Sequence, residues 1–352
     1  MKKLLGGVLM STLLVLGACG GGNGGSSNSN PASGDAEAPV AETVEAKIMK
    51  LAVATPDERS LTKGLVKFGE SIEEQTGGSI DVEIYSNGSL GGDREVLEGI
   101  QLGTIQGTTV STGPIAQFSS RFNVFDLPFL FPNTDIAYEI LDGPVGEELL
   151  GDLPEQGMIG LGYWENGFRH LTNDVKEVKT VDDIKGLKIR TLENNLHMDM
   201  WRELGANPTP IAYTELFAAL QQRVVDGQEN PVGNITTAKF YEVQKYLTKT
   251  GHIYNASPLL ISKSFWDSLT DEEKEVVKKA AEEAKIYQRE LNQQEDADAT
   301  AQLIELGMTI TELSSEEQAK MFELAQPVYG KYSAEIGEDF VNKLLETIEA
   351  SK

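Results

Sequence analysis

The chain has 352 residues, with 55 acidic and 30 basic side chains and a formal net charge of −25 at pH 7. A surface this acidic disfavours binding to nucleic acid or to an anionic membrane surface, so neither is expected as a partner. The chain contains one cysteine. An internal disulfide is therefore excluded, and the folded part must be held together by its hydrophobic core.

The first 18 residues have the features of a secretory signal. Lys2 and Lys3 precede a short apolar segment, Leu4 to Leu16, which is too short to span a membrane. The tetrapeptide that ends at Cys19, Leu-Gly-Ala-Cys, resembles the lipobox of bacterial lipoproteins, in which cleavage leaves an acylated cysteine at the new N-terminus. We predict a signal peptide over residues 1–18, lipidation of Cys19 and an extracytoplasmic, membrane-anchored protein. An ordinary signal peptide with an incidental cysteine is the alternative.

The segment after the signal is rich in Gly, Ser and Asn and poor in large apolar residues. Such a composition is typical of a flexible linker, so residues 19–45 are predicted to be a tether. The folded part is then expected to run from residue 46 to about residue 350, which is long enough for two domains of common size.

The start of the folded part alternates strand and helix patterns. Lys47–Ala54 is apolar enough for a strand, and apolar residues spaced four, three and four apart predict a helix over Leu61–Gln75. Ser79–Tyr85 alternates as a half-buried strand does. Asp93 is expected to cap a following helix that Gly103 ends. The order β-α-β-α favours a largely parallel sheet covered by helices.

The middle of the chain continues with short strands and helices, several of them bounded by capping residues or glycine. The predicted elements are strand segments at Met158–Gly162 and Phe168–Thr172, a strand at Leu187–Leu192, a helix at His197–Leu204 and a helix that Thr214 caps and Gly227 stops.

The end of the chain is helical. Thr270 and Glu273 have the spacing of a capping box, and an apolar stripe continues from there to Leu306, which predicts a helix about 55 Å long. Ser314 and Glu317 form a second such box. A helix of that length exceeds the diameter of one domain. The predicted fold is therefore α/β, with two lobes, a cleft between them and a long helix that braces both.

The sequence offers no motif for catalysis. It lacks Gly-x-Ser-x-Gly, His-Glu-x-x-His, a Walker loop and Gly-x-Gly-x-x-Gly. Its three histidines are not spaced for zinc, and its cysteine belongs to the predicted anchor. No cofactor and no metal site are expected, and the protein is predicted not to be an enzyme.

Two of the eight arginines lie in strand-like segments, Arg169 and Arg190. Arg190 falls near the carboxyl end of its strand, where open α/β sheets bind ligands, and a guanidinium there offers two parallel hydrogen bonds to a carboxylate. Periodicity alone favours the alternative, an arginine on a solvated strand face. Asn230 follows a helix stop and precedes Pro231, so it lies either in a loop that directs its amide into a cleft or in a plain helix-ending turn.

Seven segments, in order, resemble the solute-binding proteins of tripartite ATP-independent periplasmic (TRAP) transporters, of the DctP type. They cover roughly residues 47–306. They are GSLGGDRE (88–95), FDLPFLF (125–131), GFRHLTN (167–173), DIKGLKIR (183–190), LGANPTP (204–210), ELFAALQ (215–221) and VDGQENP (225–231).

The resemblance implies a two-lobed, cleft-closing binding protein. We assign residues 46–167 and about 256–295 to the first lobe, and residues 168–255 and about 296–350 to the second. In that family the arginine that ends the Gly-Leu-Lys-Ile-Arg strand pairs with the substrate carboxylate, so Arg190 is expected to do so here. Arg169 is expected to help hold the same group, and Asn230 to reach the ligand.

Further pocket residues follow from the resemblance by position: Tyr213, Glu193, Asn194, Thr55, Ser111 and Thr112. If Glu193 faces the cleft, it repels a second carboxylate and accepts hydrogen bonds from hydroxyl groups. That orientation favours a hydroxylated ligand such as a sugar acid over a C4-dicarboxylate, and an outward orientation favours neither.

The expected function is capture of a small organic acid by lobe closure and its delivery to the membrane subunits of a TRAP-type secondary transporter. The alternatives are a binding protein of an ATP-driven importer, a chemosensory binding protein read by a receptor, and an extracellular hydrolase.

Overall fold

The computed structural model of the protein describes residues 46–352. The predicted signal peptide, Cys19 and the tether lie outside the described residues. Within the described part, none of the helices combines the length and the apolar character needed to cross a membrane.

The described residues contain strands from both halves of the chain. In chain order the strands are β1 (Lys47–Ala52), β2 (Ile80–Tyr85), β3 (Gly107–Thr109), β4 (Met158–Phe168), β5 (His170–Asn173), β6 (Lys188–Thr191), β7 (Asn207–Pro210), β8 (Gly227–Asn230), β9 (Tyr246–Lys249), β10 (Tyr254–Ser262) and β11 (Thr309–Glu312).

Helices connect and cover these strands. They are α1 (Ser60–Thr76), α2 (Asp93–Leu102), α3 (Thr112–Ile115), α4 (Thr134–Leu141), α5 (Pro144–Leu150), α6 (Asn195–Glu203), α7 (Tyr213–Gln221), α8 (Val232–Thr237), α9 (Lys263–Ser268), α10 (Asp271–Glu305), α11 (Ser315–Ile336) and α12 (Glu338–Ala350).

The strands form two sheets, and each sheet with its helices defines a lobe. The first lobe has the order β2-β1-β3-β10-β4, and the second has the order β11-β9-β5-β8-β6-β7. β1, β2 and β3 are mutually parallel, and β6, β7 and β8 are also parallel. The predicted α/β, two-lobed fold is confirmed.

The chain crosses between the sheets where β4 is followed by β5 and where β9 is followed by β10. The two crossings lie side by side, because the Arg169 amide N–H donates to the Ile253 carbonyl at 2.9 Å. The long helix α10 is a third connection. It packs on α1 and β4 of the first lobe and then on α8 and β11 of the second.

The long helix begins and ends almost where the sequence predicts. Thr270 and Glu273 form the capping box, and α10 runs for 35 residues. Ala280, Ala281 and Ala284 on its first half are buried with the aliphatic core of the first lobe, whereas Ala299 and Leu303 join the core of the second. The alanines let the helix pack closely against both lobes, and the helix connects the lobes through these contacts.

Several local predictions are wrong. Gly92, not Asp93, is the N-cap of α2, and the Glu95 carboxylate accepts a hydrogen bond from its amide at 2.9 Å. Ala212, not Thr214, precedes α7. Residues 227–230 are neither a loop nor a helix-ending turn but strand β8, which pairs with β5 and β6.

The predicted residue boundaries of the lobes stay a prediction. The two C-terminal helices do not follow one lobe alone. α11 packs against α6 of the second lobe and against the 3-10 turn Ser120–Asp126 of the first, and α12 packs against α4 of the first.

Candidate functional site

A cavity lies between the two lobes, at the carboxyl ends of β1, β6 and β8. The two lobes leave a narrow cavity of about 20 Å³ between them. Both lobes contribute polar side chains to its wall. These are Thr55, Asp93, Thr109, Ser111 and Asn166 from the first lobe and Tyr213, Asn230 and Asn234 from the second.

Arg190 lies beside this cavity on strand β6. Its side chain is 1% exposed, so the predicted alternative of a solvated arginine does not apply. The Nε–H donates to the Ile211 carbonyl at 2.7 Å, which fixes the plane of the guanidinium. Among residues 46–352, no acceptor lies within hydrogen-bond distance of its Nη1. The side chain therefore keeps a donor for a ligand.

Arg190 remains positively charged although it is buried. Burial, and then the neighbouring charge of Arg169, lower the pKa of Arg190 to about 10, which still leaves a cation at neutral pH. Arg190 is not itself part of the cavity wall. Its charge acts on Asp93 and Tyr213, which are, and opposes the rise that burial causes in the pKa of both.

Tyr213 starts helix α7 and places its hydroxyl in the same region. The hydroxyl is buried and has no hydrogen-bond partner in the described part of the chain, and burial raises its pKa. The ring packs edge-on against Phe240, with ring centroids 6.0 Å apart. Unpaired buried donors are unfavourable. The Tyr213 hydroxyl and Arg190 Nη1 are therefore two unsatisfied donors, each suited to an anionic group.

Arg169 has a different environment, because its guanidinium is bound by the protein itself. It is fully buried, and its Nε and Nη2 donate to the two carboxylate oxygens of Glu229, the second at 2.8 Å. Nη1 donates to Asn255 Oδ1 at 3.1 Å. The expectation that Arg169 holds the ligand carboxylate thus stays a prediction. Like Arg190, it is not part of the cavity wall.

Glu229 is the buried carboxylate that pairs with Arg169. Burial alone would raise its pKa, but the Arg169 guanidinium and a hydrogen bond from His252 hold the pKa well below its usual range. His252 Nε2 lies 3.0 Å from Glu229 Oε2. The carboxylate therefore neutralises Arg169 and leaves Arg190 as the cation nearer the cavity.

Asn230 lies at the end of β8 and lines the cavity. That it reaches the ligand stays a prediction. Its Nδ2 donates to Gln228 Oε1, and its Oδ1 accepts a hydrogen bond from Asn234 Nδ2 at 3.0 Å. The side chain is thus held in place from both ends of its amide.

Asp93 is a cavity residue that the sequence analysis treated only as a helix cap. It is the first residue of α2, and because Gly92 takes the capping position, its carboxylate is free to face the cavity. Burial raises its pKa to about 6, the Arg190 charge opposes that rise, and the Glu193 charge adds to it. Its position within the Gly-Ser-Leu-Gly-Gly-Asp segment was the available signal.

Three more predicted residues lie outside the cavity wall, as Arg190 and Arg169 do. Glu193 is near enough to Asp93 and Arg94 to raise the pKa of both, so it lies at the edge of the cleft. Asn194 caps α6 by accepting from the Leu196 amide at 2.7 Å, and its Nδ2 donates across the cleft to Asn123 Oδ1 at 2.8 Å. Thr112 donates to Asp126 Oδ1 at 2.9 Å instead of facing the cavity.

The other two predicted first-lobe residues do line the cavity. The Ser111 hydroxyl donates to Asn255 Oδ1 at 2.8 Å, and the Thr55 hydroxyl lies 2.8 Å from that of Thr62. Both hydroxyls are also available as acceptors on the first-lobe side, opposite Tyr213 and Asn230.

Arg59, Asn166 and Asn234 were not predicted from the sequence. Arg59 is one of only eight arginines and directly precedes a predicted helix, which was the one signal available. Its partners come from three distant segments of the chain, β4, α8 and α10. Amide side chains such as Asn166 and Asn234 give no periodic signal at all.

Two α/β lobes, a polar cavity between them, a buried cation beside the cavity and a long bracing helix define a cleft-type solute-binding protein. Residues 51–335 match the family of bacterial extracellular solute-binding proteins, family 7, DctP. This match spans most of the chain, and the protein belongs to that family. Family and structural neighbours are binding proteins of transporters, so the protein is a binding protein and not an enzyme.

Relatives of similar length support the assignment. The chain is 37% identical over 289 residues to a solute-binding protein of Verminephrobacter eiseniae, covering 82% of this chain and 86% of that protein. It is 33% identical over 304 residues to the C4-dicarboxylate-binding periplasmic protein DctP of Rhodobacter capsulatus, covering 86% of this chain and 91% of that protein.

Solved structures of TRAP-type binding proteins have the same fold. The sugar acid binding protein DctPAm of Advenella mimigardefordensis, in complex with galactonate, has a TM-score of 0.86 and 39% identity, covering 88% of this chain and 100% of that chain. A Polaromonas protein bound to D-erythronate has a TM-score of 0.82 and 37% identity, covering 85% and 98%. A Sulfurospirillum deleyianum protein with bound succinate has a TM-score of 0.82 and 31% identity, covering 85% and 99%.

Proposed function

We propose that this protein captures a sugar acid, or a similar hydroxylated carboxylate, by closing its two lobes around it. The observation that carries the proposal is the buried Arg190 guanidinium, whose Nη1 has no acceptor among the described residues. A ligand carboxylate supplies that acceptor. The Tyr213 hydroxyl, also without a partner there, offers a second donor to the same group.

Asp93 supports a hydroxylated ligand. It faces the cavity from the first lobe, and Glu193 lies near it at the cleft edge. Ionised carboxylates accept hydrogen bonds from hydroxyl groups, whereas they repel a second carboxylate on the ligand. A polyhydroxy monocarboxylate therefore bonds to Arg190 through its carboxylate and to Asp93 through its hydroxyl groups. A C4-dicarboxylate bonds to Arg190 only, because Asp93 repels its second carboxylate. The galactonate and D-erythronate complexes of the similar proteins agree with this choice.

The same arrangement explains closure. Arg190, Tyr213 and Asn230 belong to the second lobe, and Asp93, Thr55 and Ser111 belong to the first. A ligand stabilises the closed form only if its interactions differ between the open and closed forms. A molecule with a carboxylate at one end and hydroxyl groups at the other bonds to both lobes at once, and only in the closed form.

The test is isothermal titration calorimetry with D-galactonate, D-erythronate and succinate. The two sugar acids are expected to bind more tightly than succinate. Arg190→Lys is expected to weaken sugar-acid binding by two orders of magnitude or more, since a point charge does not replace a guanidinium that forms charge-assisted bonds.

The matched control is Arg202→Lys, which changes an exposed arginine on α6 that pairs with Asp199. It should bind like the wild type. A sugar-acid affinity of Arg190→Lys within threefold of the wild type would contradict the role of Arg190. Tighter binding of succinate than of either sugar acid would contradict the ligand class.

We also propose that the mature protein is a lipoprotein anchored through Cys19, and that the closed form delivers its ligand to the membrane subunits of a TRAP-type transporter. The predicted lipobox and the family support this. Intact-mass analysis of protein extracted from membranes should give a chain that starts at Cys19 and carries acyl groups. Cys19→Ser should release the protein from the membrane, and a wild-type chain without acyl groups would contradict the anchor.

A further inference from the structure

Arg59 is a buried arginine that none of the roles above uses. It directly precedes α1, and its side chain is 0% exposed. Strand β4 of the first lobe and the long helix α10 hold its guanidinium. Nη2 donates to the Asn166 carbonyl at 2.7 Å, and Nη1 donates to Asn292 Oδ1 at 2.7 Å and to the Glu295 carboxylate. The charge is therefore neutralised and its position fixed relative to α10.

The remaining donor of Arg59 crosses to the other lobe. Its Nε–H donates to Asn234 Oδ1 at 2.7 Å. Asn234 belongs to α8, which directly follows strand β8 of the second lobe. Of the hydrogen bonds that Arg59 forms with described residues, this one joins elements that move apart if the lobes open.

Asn234 connects this bond to the cavity. While its Oδ1 accepts from Arg59, its Nδ2 donates to Asn230 Oδ1 at 3.0 Å. Asn230 and Asn234 both line the cavity. The orientation of the Asn230 amide thus depends, through Asn234, on a guanidinium that belongs to the opposite lobe.

The backbone of α8 supplies an independent observation. A Cβ atom added to Gly233 would lie 2.7 Å from Arg59 Nη1 and 2.8 Å from its Cζ. Contacts this short do not occur in folded proteins. The guanidinium therefore packs directly against the backbone of α8 at Gly233, where no side chain intervenes. The first lobe therefore docks on α8 by shape as well as by hydrogen bonding.

We propose that Arg59 is an interlobe latch. Its bond to Asn234 forms as the lobes close, and it positions the Asn230 amide for the ligand only in the closed form. Arg59 is a positioning residue, because it acts through Asn234 and does not line the cavity. The inference deepens the proposed capture of a carboxylate and rests on it for the role of Asn230. The latch itself depends only on closure.

The experiment measures closure directly. In a Cys19→Ser background the chain contains no cysteine, so spin labels can be placed at Glu98→Cys on α2 and Ala218→Cys on α7, one exposed site in each lobe. Inter-label distances are recorded by pulsed electron resonance while D-galactonate, D-erythronate and succinate are added. Melting temperatures without ligand are recorded in parallel.

Asn234→Ala removes the amide oxygen that accepts the hydrogen bond from Arg59. Gly233→Ala places a methyl group where the Arg59 guanidinium packs, without changing any polar group. Both are expected to require about tenfold more ligand to reach the closed distance, the effect of losing one charge-assisted hydrogen bond. Thr237→Ala, on the same helix, is the control, because the Thr237 hydroxyl donates only to the Gly233 carbonyl of its own helix. It should close like the wild type.

A lower melting temperature with unchanged closure in the Asn234 and Gly233 variants would overturn the latch and leave Arg59 a structural residue. If no acid of the panel closes the wild-type protein, the proposed carboxylate capture is wrong. The latch is then judged from the ligand-free distances. A smaller closed fraction in the distance distribution of Gly233→Ala than in that of Thr237→Ala supports it, and equal closed fractions overturn it.

Discussion

Arg169 and Glu229 form a fully buried ion pair in which two guanidinium nitrogens meet both carboxylate oxygens. Arg190 is equally buried, but within residues 46–352 its Nη1 has no hydrogen-bond partner and no carboxylate forms an ion pair with it. Two arginines that look alike in the sequence therefore have opposite energetic roles. The pair with Glu229 stabilises the fold, and the unpaired guanidinium is available to the ligand.

This contrast predicts different effects of the same substitution. Arg169→Met leaves the Glu229 carboxylate buried without its partner, and it should lower the free energy of unfolding by about 3–5 kcal/mol. Arg190→Met removes a buried charge that lacks a protein partner, so the free energy of unfolding should change by no more than about 1 kcal/mol. Urea denaturation without ligand measures both. Equal losses in the two variants would contradict the assignment.

Asp93 predicts how ligand discrimination depends on pH. Its pKa is raised to about 6, so it is ionised at pH 7.5 and becomes protonated as the pH falls through 6. Protonation removes the repulsion of a second ligand carboxylate. Succinate should therefore bind relatively better at pH 5.5 than at pH 7.5, compared with D-galactonate.

Asp93→Asn isolates this effect, because succinate itself titrates in the same range. The variant should bind D-galactonate about tenfold more weakly at pH 7.5, having lost a charged acceptor. It should also bind succinate more tightly than the wild type there, and the advantage should vanish at pH 5.5. Calorimetry at pH 5.5 and pH 7.5 measures the affinities of the variant and of the wild type for both ligands. The same preference for D-galactonate in the variant and the wild type at pH 7.5 would contradict a role of Asp93 in selectivity.

A close contact between the lobes at the opening of the cleft predicts a further effect on closure. Gly88 lies in the first lobe with φ +64°, and a Cβ there would lie 2.3 Å from Thr214 Cγ2 of the second lobe. Gly88→Ala should therefore hold the lobes apart and weaken ligand binding at least tenfold. Gly77→Ala is the control, because Gly77 has φ +60° but has no atom within 4 Å of an added Cβ.

Both glycine variants lose stability from alanine at positive φ, by about 1 kcal/mol. Only Gly88→Ala should lose affinity for D-galactonate, measured by calorimetry. If the two variants bind equally well, the contact between Gly88 and Thr214 does not limit closure.

The sequence predicted what periodicity and capping control. The long helix follows from the Thr270–Glu273 box and its apolar stripe, and strand β6 follows from the alternation that leads to Arg190. Strand β8 was missed because Gln228, Glu229 and Asn230 are polar, which favours a loop. They are buried all the same, since each forms hydrogen bonds within the protein.

The parts of the site that the sequence did not predict depend on contacts between distant segments. Asp93 looked like a helix cap because capping is local, and only the glycine before it makes its carboxylate free for the cavity. Arg59 has partners 107, 175 and 233 residues away. No spacing rule within a single segment contains such information.

Asp296 provides the last prediction, because it is a carboxyl group at the junction of the lobes. It lies on α10, close enough to Gly167 that an added Cβ there would be 3.0 Å from Asp296 Oδ2. Burial raises its pKa from 3.8 to about 7. The Arg59 charge and the Gly233 amide oppose the rise, and Glu165 and Glu295 add to it.

A pKa that is higher in the folded than in the unfolded state means that the folded protein binds more protons between pH 4 and pH 7. The wild type should therefore lose stability as the pH rises through that window. Asp296→Asn mimics the protonated form, and it should raise the free energy of unfolding by about 4 kcal/mol at pH 8 and by almost nothing at pH 4. Urea denaturation across this range measures the difference. Asp298→Asn, at an exposed position of the same helix, is the control, and a pH profile shared by the two variants would show that Asp296 is not the titrating group.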